Sequence, residues 1–139
     1  MTAWEPADIP NMALDPCHYS WHCGVTVDEE GEKYLNLSWT QRSVDSFLGL
    51  PFNIASYGLL LLLMAKELNM KPGILNGDLH DVHIYVNHEE QCKEQISRTH
   101  YALPNVEIPD FESIFSWKHN QFELINYNSH GKLTGEVAV

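Results

Sequence analysis

Apolar and polar residues alternate with a period of two over residues 17–27. Cys17, Tyr19, Trp21, Cys23, Val25 and Val27 fall on one side, and His18, Ser20, His22, Gly24 and Thr26 on the other. That pattern predicts a strand. After an acidic stretch containing Gly31 the alternation resumes, with Leu35, Leu37 and Trp39 set against Asn36, Ser38, Thr40 and Arg42. Two such runs around a short glycine-bearing loop predict a hairpin. If Val27 pairs with Lys33, paired numbers sum to about 60, which brings Cys17 near Ser43 and His18 near Arg42 to within about two residues.

Pro51 breaks the second strand, and Asn53 is placed to cap the apolar run at residues 54–65, which predicts a buried core helix. "NMKPG" is expected to end that helix, with Lys71 near its C-terminus and Pro72 and Gly73 beyond. In "HDVHIYVNH" the alternation returns, so that Asp81, His83, Tyr85 and Asn87 would share one strand face. "NHEEQCKEQISR" predicts a helix capped by Asn87, with Glu89 and Glu90 in its first turn. "NVEI" and "QFELINY" predict further strands, and "PDFESIFSW" a helical turn or short connection. No repeat, low-complexity tract or linker interrupts the 139 residues, so one domain or part of one is expected.

Charge narrows the partners. Nineteen acids against eight Lys and Arg give a net charge of -11, which disfavours a nucleic acid polymer, whose affinity comes from cations meeting phosphates. Arg42 and Arg98 are the two arginines, so a small phosphate ligand would meet few of this chain's own cations. The first residues lack the basic and apolar regions of a secretory signal, and the cytoplasm is the expected compartment. Cys17, Cys23 and Cys92 are then expected as free thiols. The apolar run falls well short of the ~20 residues that span a bilayer, so no membrane partner is expected.

Two chemistries compete at "LDPCHYSWHC". A metal site of Cys17, His18, His22 and Cys23 is awkward, because strand phase puts the thiols and the imidazoles on opposite faces. Cys17 alone is either a small buried residue or a nucleophile. Its position after Pro16 and beside Arg42 would favour the thiolate, the reactive form. "QRSVDSFLGLPFN" gathers Gln41, Arg42, Ser43, Asp45 and Asn53 around a turn with Gly49 and Pro51. It is either an exposed loop or a polar lip, with Arg42 and Ser43 for an anion and Asn53 for an amide-like ring edge.

Taken in order, "MALDPCH", "QRSVDSFLGLPFNIASY", "HIYVNH" with "QISR", "LPNVEI" and the terminal "VAV" resemble thymidylate synthase over essentially the whole chain. The resemblance implies an α+β protein with a large mixed sheet packed on a long helix, which forms a homo-oligomer. It implies methylation of dUMP to dTMP with 5,10-methylenetetrahydrofolate as one-carbon donor and reductant. Cys17 then looks like the nucleophile that adds to C6 of the uracil. Arg42 and Ser43, with Gln41 beside them, look like phosphate ligands, and Asn53 like the reader of the O4 and N3 edge. His83 and Tyr85 look like the pair on the ribose 3'-hydroxyl. Asp45 looks like both a substrate-side and a folate-side contact, Gly49 like a ring-side contact, and the Val139 carboxylate like a tail that closes the site.

The match covers the C-terminal half of the family domain. The adjacent arginine pair that reaches a partner's phosphate site, the glutamate that organises water and the tryptophans that flank the folate lie in the other half. "NGDLHDVHIY" also departs from the usual "GDAHIY", which predicts local change over residues 76–80. The chain is therefore expected to work with a separate N-terminal half. A hydroxymethylase of the same fold and an inactive, dimerising remnant are the alternatives.

Overall fold

The computed structural model describes residues 1–137, in two compact units. The first unit, Met1–Ile84, holds β1 (His18–Val27), β2 (Lys33–Gln41), β3 (Val44–Asp45), α1 (Leu50–Glu67), β4 (Lys71–Leu79) and β5 (Val82–His83). Its main sheet runs in the order β1-β2-β4. β1 is antiparallel to β2, and β4 is parallel to it on the other side. Asp28 closes the hairpin, its Oδ1 accepting the backbone N–H groups of Glu30 and Glu32 at 3.0 and 2.8 Å. Those backbone donors, Glu32 foremost, hold the Asp28 carboxyl below its usual range.

The expected register holds from Val27↔Lys33 to Ser20↔Thr40, and then a bulge between His18 and Ser20 shifts it by one, giving His18↔Gln41. The extra residue turns His18 onto the same face as Trp21, which corrects the alternation expected there. On that face Leu35, Leu37 and Trp39 pack against Tyr57, Leu61 and Ala65, which recur every fourth residue along α1. The helix is buried along this stripe and at Leu63, whereas Phe52 and Ile54 are exposed, so it is not buried all round as the apolar run suggested.

α1 begins earlier than predicted. Gly49 is the N-cap, Pro51 lies in the first turn where its missing N–H costs nothing, and Asn53 sits inside the helix rather than capping it. Its end is made by Asn69 in the left-handed region (φ 53°), with Met70 N–H bonded to Ala65 O at 2.8 Å. Lys71, Pro72 and Gly73 belong to β4, a strand the sequence reading took for a helix stop. Pro72 is tolerated because β4 lies at the sheet's edge. A register shift opposite Leu35 and Leu37 frees Ile74 N–H, which Asn36 Oδ1 accepts at 2.7 Å.

The strand expected over residues 81–87 is cut to Val82–His83, because its partner β3 offers two residues to pair. A 3₁₀ turn at Val86–His88 follows, in the second unit. That unit contains α2 (Glu89–Ser97) and the antiparallel pair β6 (Asn105–Glu107) and β7 (Glu123–Ile125), as the pattern predicted. Asn87 does not cap α2: its Nδ2 donates to Glu136 O at 3.0 Å, and buried His88 does the same through Nε2 at 2.7 Å. Glu89 and Glu90 in the first turn both bind Lys93 and raise its pKa. Among the described residues no helix is long and apolar enough to cross a membrane. A mixed sheet packed on a long helix is the fold class expected.

Candidate active site

The end of β2 organises the first unit's polar cluster. Arg42 N–H donates to Cys17 O at 2.8 Å, and Arg42 Nη2 donates to Asp15 O at 2.7 Å. Trp4 Nε1 holds Pro16 O at 3.2 Å. Three consecutive carbonyls, those of residues 15–17, are thus pinned, and the Cys17 loop is fixed against the arginine as the hairpin register foretold. Arg42 Nε is buried and has no hydrogen-bond partner among the described residues. A buried guanidinium donor left unmatched is costly unless a ligand meets it. Cys17 is half-buried and reduced. The Cys23 thiol is pushed up by burial, which disfavours its reactive thiolate form.

A second chain of bonds fixes Asn53. The indole of Trp39 can only donate, and its Nε1 gives its proton to Gln41 Oε1 at 3.3 Å. Gln41, 3% exposed, must therefore turn its amide nitrogen the other way, where Nε2 donates to Ser43 O and to Asn53 Oδ1, both at 3.1 Å. Asn53 consequently presents Oδ1 to Gln41 and keeps its two Nδ2 protons for donation elsewhere. An amide set this way can donate to a ring carbonyl while its oxygen accepts a ring N–H. Gly49 stands close by: a Cβ there would come within 3.1 Å of Asp45 O and 3.8 Å of Asn53 Oδ1.

Asp45 folds the turn before α1, its Oδ1 accepting Phe47 N–H and Leu48 N–H at 3.0 and 3.1 Å. Ser43 Oγ donates to Asp81 Oδ2 at 3.1 Å. His83 Nδ1 lies 2.8 Å from Asp81 O, and since a carbonyl only accepts, Nδ1 carries a proton; in the neutral ring Nε2 is then the accepting nitrogen. Of the predicted residues, Cys17, Gln41, Arg42, Ser43, Asp45, Gly49, Asn53 and His83 lie in this unit. Tyr85 falls in the second unit, beyond the end of β5. Val139 lies outside the described residues.

Two further residues join the cluster without having been foreseen as site residues. His18 Nδ1 is 3.2 Å from Tyr57 Oη, with the rings edge to face and Tyr57 stacked on Trp39. Burial pushes the Tyr57 phenol up. A cavity of about 330 Å3 lies beside Pro16, His18 and Tyr57. The bulge that redirects His18 leaves little trace in the residue pattern, although Pro16 directly before Cys17 marks an irregular strand start. Among the described residues, no group of three His, Cys, Asp or Glu is placed to hold a metal ion.

Known proteins resemble this chain over its whole length. The family model described as thymidylate synthase matches residues 1–139. Thymidylate synthase of Mesoplasma florum is 47% identical over 139 residues, covering 100% of this chain and 47% of that protein. The probable thymidylate synthase of Escherichia phage T5 is 43% identical over 143 residues, covering 99% of this chain and 50% of that one. The solved structure of thermostable thymidylate synthase A from Bacillus subtilis superposes with a TM-score of 0.87 at 32% identity. It covers 100% of this chain and 49% of that chain. The chain spans about half the length of the curated relatives it matches.

Proposed function

This chain belongs to the thymidylate synthase family, and from that premise we propose that it carries the nucleophile and most of the nucleotide-binding side of an enzyme that methylates dUMP to dTMP. In this reading the half of the family's length that this sequence does not cover supplies the rest of the site. The observation that carries this reading is the double tie of Arg42 to the Asp15 and Cys17 carbonyls, with its Nε left buried and unmatched. The loop that carries the thiol is thereby tied to the residue that carries the cation.

In this reading Cys17 Sγ attacks C6 of the uracil and the ring's π electrons move to C5 and O4, so that C5 becomes nucleophilic. Asn53, oriented by Gln41, donates to O4 and accepts from N3–H, which selects uracil over cytosine by matching one acceptor and one donor. Arg42 and Ser43 meet the phosphate, and His83 Nε2 accepts from the ribose hydroxyl. Gly49 and Asp45 fit the folate side: the glycine leaves the ring edge of Asn53 uncovered, and the carboxylate can accept N–H groups. Methylenetetrahydrofolate, when bound, supplies the one-carbon unit and the hydride that reduces it.

The test is tritium release from C5-labelled dUMP by the chain expressed alone, and together with the first half of the Mesoplasma florum enzyme. Release is expected from the pair and from neither half, and Cys17→Ala is expected to abolish it. Release by this chain alone removes the need for the other half. A hydroxymethyl product by mass spectrometry replaces the methylation reading.

A further inference from the structure

Asp81 stands at the junction of β4 and β5 with φ 45°, a left-handed backbone that side-chain-bearing residues seldom adopt. Its carbonyl accepts from Val44 N–H at 3.2 Å and from His83 Nδ1 at 2.8 Å. Its carboxylate accepts from Ser43 Oγ at 3.1 Å and lies 3.7 Å from His83 Nδ1. One residue therefore touches both Ser43, on the proposed phosphate side, and His83, on the proposed sugar side.

We propose that Asp81 is a positioning residue that couples these two ends, so that phosphate binding at Ser43 prepares His83 for the sugar. The inference rests on the reading of Ser43 and His83 as dUMP ligands. A serine hydroxyl has one proton to donate, and in the free protein Asp81 holds it. A phosphate dianion brings no proton of its own, so it can bind Ser43 only as acceptor, and the bond to Asp81 must break. The released carboxylate is repelled by the arriving dianion, and His83 Nδ1, 3.7 Å away, is a donor it can turn to. Closing on that N–H, it joins the carbonyl already there, locks the ring and makes Nε2 a stronger acceptor for the ribose hydroxyl. The sequence departs from the family pattern beside this residue, at His80, whose N–H donates to Gln41 O at 2.9 Å.

Coupling of this kind is measured by binding the two halves of the ligand separately, because its free energy is reciprocal. Deoxyuridine is titrated calorimetrically into the chain paired with its first half, with and without saturating inorganic phosphate, and dUMP is titrated as control. Phosphate is expected to tighten deoxyuridine binding about threefold, the scale of an exposed charged pair. Asp81→Asn and Ser43→Ala are each expected to reduce that factor to one. Asn tolerates the left-handed backbone, and Ser43→Ala leaves residue 81 untouched should Asp81→Asn fail to fold. Binding of dUMP without phosphate coupling, or coupling that survives both variants, overturns this inference alone. Failure of dUMP to bind at all overturns the reading of the site, and this inference with it.

Discussion

The orientation of Asn53 depends on a buried donor it does not touch. Trp39 Nε1 fixes Gln41, and Gln41 fixes Asn53. Gln41→Leu would keep the volume and strand the indole N–H and the Asn53 oxygen, so a loss of about 1–3 kcal/mol is expected in urea unfolding. An unchanged midpoint would show that neither group depends on Gln41. Tyr57 adds a pH dependence. Its folded pKa lies above the usual 10.0, so the unfolded chain releases the phenolic proton first. Stability is expected to be level up to about pH 10 and to fall as pH rises from there towards the folded pKa. Tyr57→Phe should flatten that fall, and an equally steep decline in the variant would assign it to other groups. At this scale the sequence was informative about Arg42 and Cys17, because hairpin register is set by a turn and a period. His18 was misplaced because one bulged residue reverses a period-two face, and residue types alone carry no register.

Between elements, the tightest demand is where β4 crosses β2. Gly77 pairs with Trp39, and a Cβ there would come within 2.6 Å of the indole ring. Gly77→Ala must displace a core ring that stacks on Tyr57, and a cost of about 1–3 kcal/mol is expected from the shift in denaturation midpoint. A neutral substitution would mean the ring has room to move. β4 itself was invisible in the sequence, since "KPG" after a helix reads as a terminator and a parallel edge strand needs no alternating pattern. The two hairpin strands were legible from alternation sustained over nine or more residues, α1 from its apolar run, and α2 from its acidic first turn. The strand at residues 81–87 was overcalled for the complementary reason. Alternation predicts that a segment can pair, and says nothing about whether a partner of equal length exists.

For the whole molecule, a net charge of -11 opposes the approach of the nucleotide anion that Arg42 receives in the proposed reading. Screening acts mostly on the long-range part: the Debye length falls from about 30 Å at 0.01 M to about 8 Å at 0.15 M salt. Association of dUMP with the assembled pair is therefore expected to quicken over that range, by stopped-flow fluorescence. Slowing would mean that the local cation outweighs the global field.

β2 finds one neighbour across the five-residue turn at 28–32 and the other only after α1 has been traversed. Closing the short loop first is favoured entropically, so the hairpin should be present in the folding transition state and β4 should dock late. Gly77→Ala then becomes a clock. Its whole cost should appear as faster unfolding, with the refolding rate left almost unchanged.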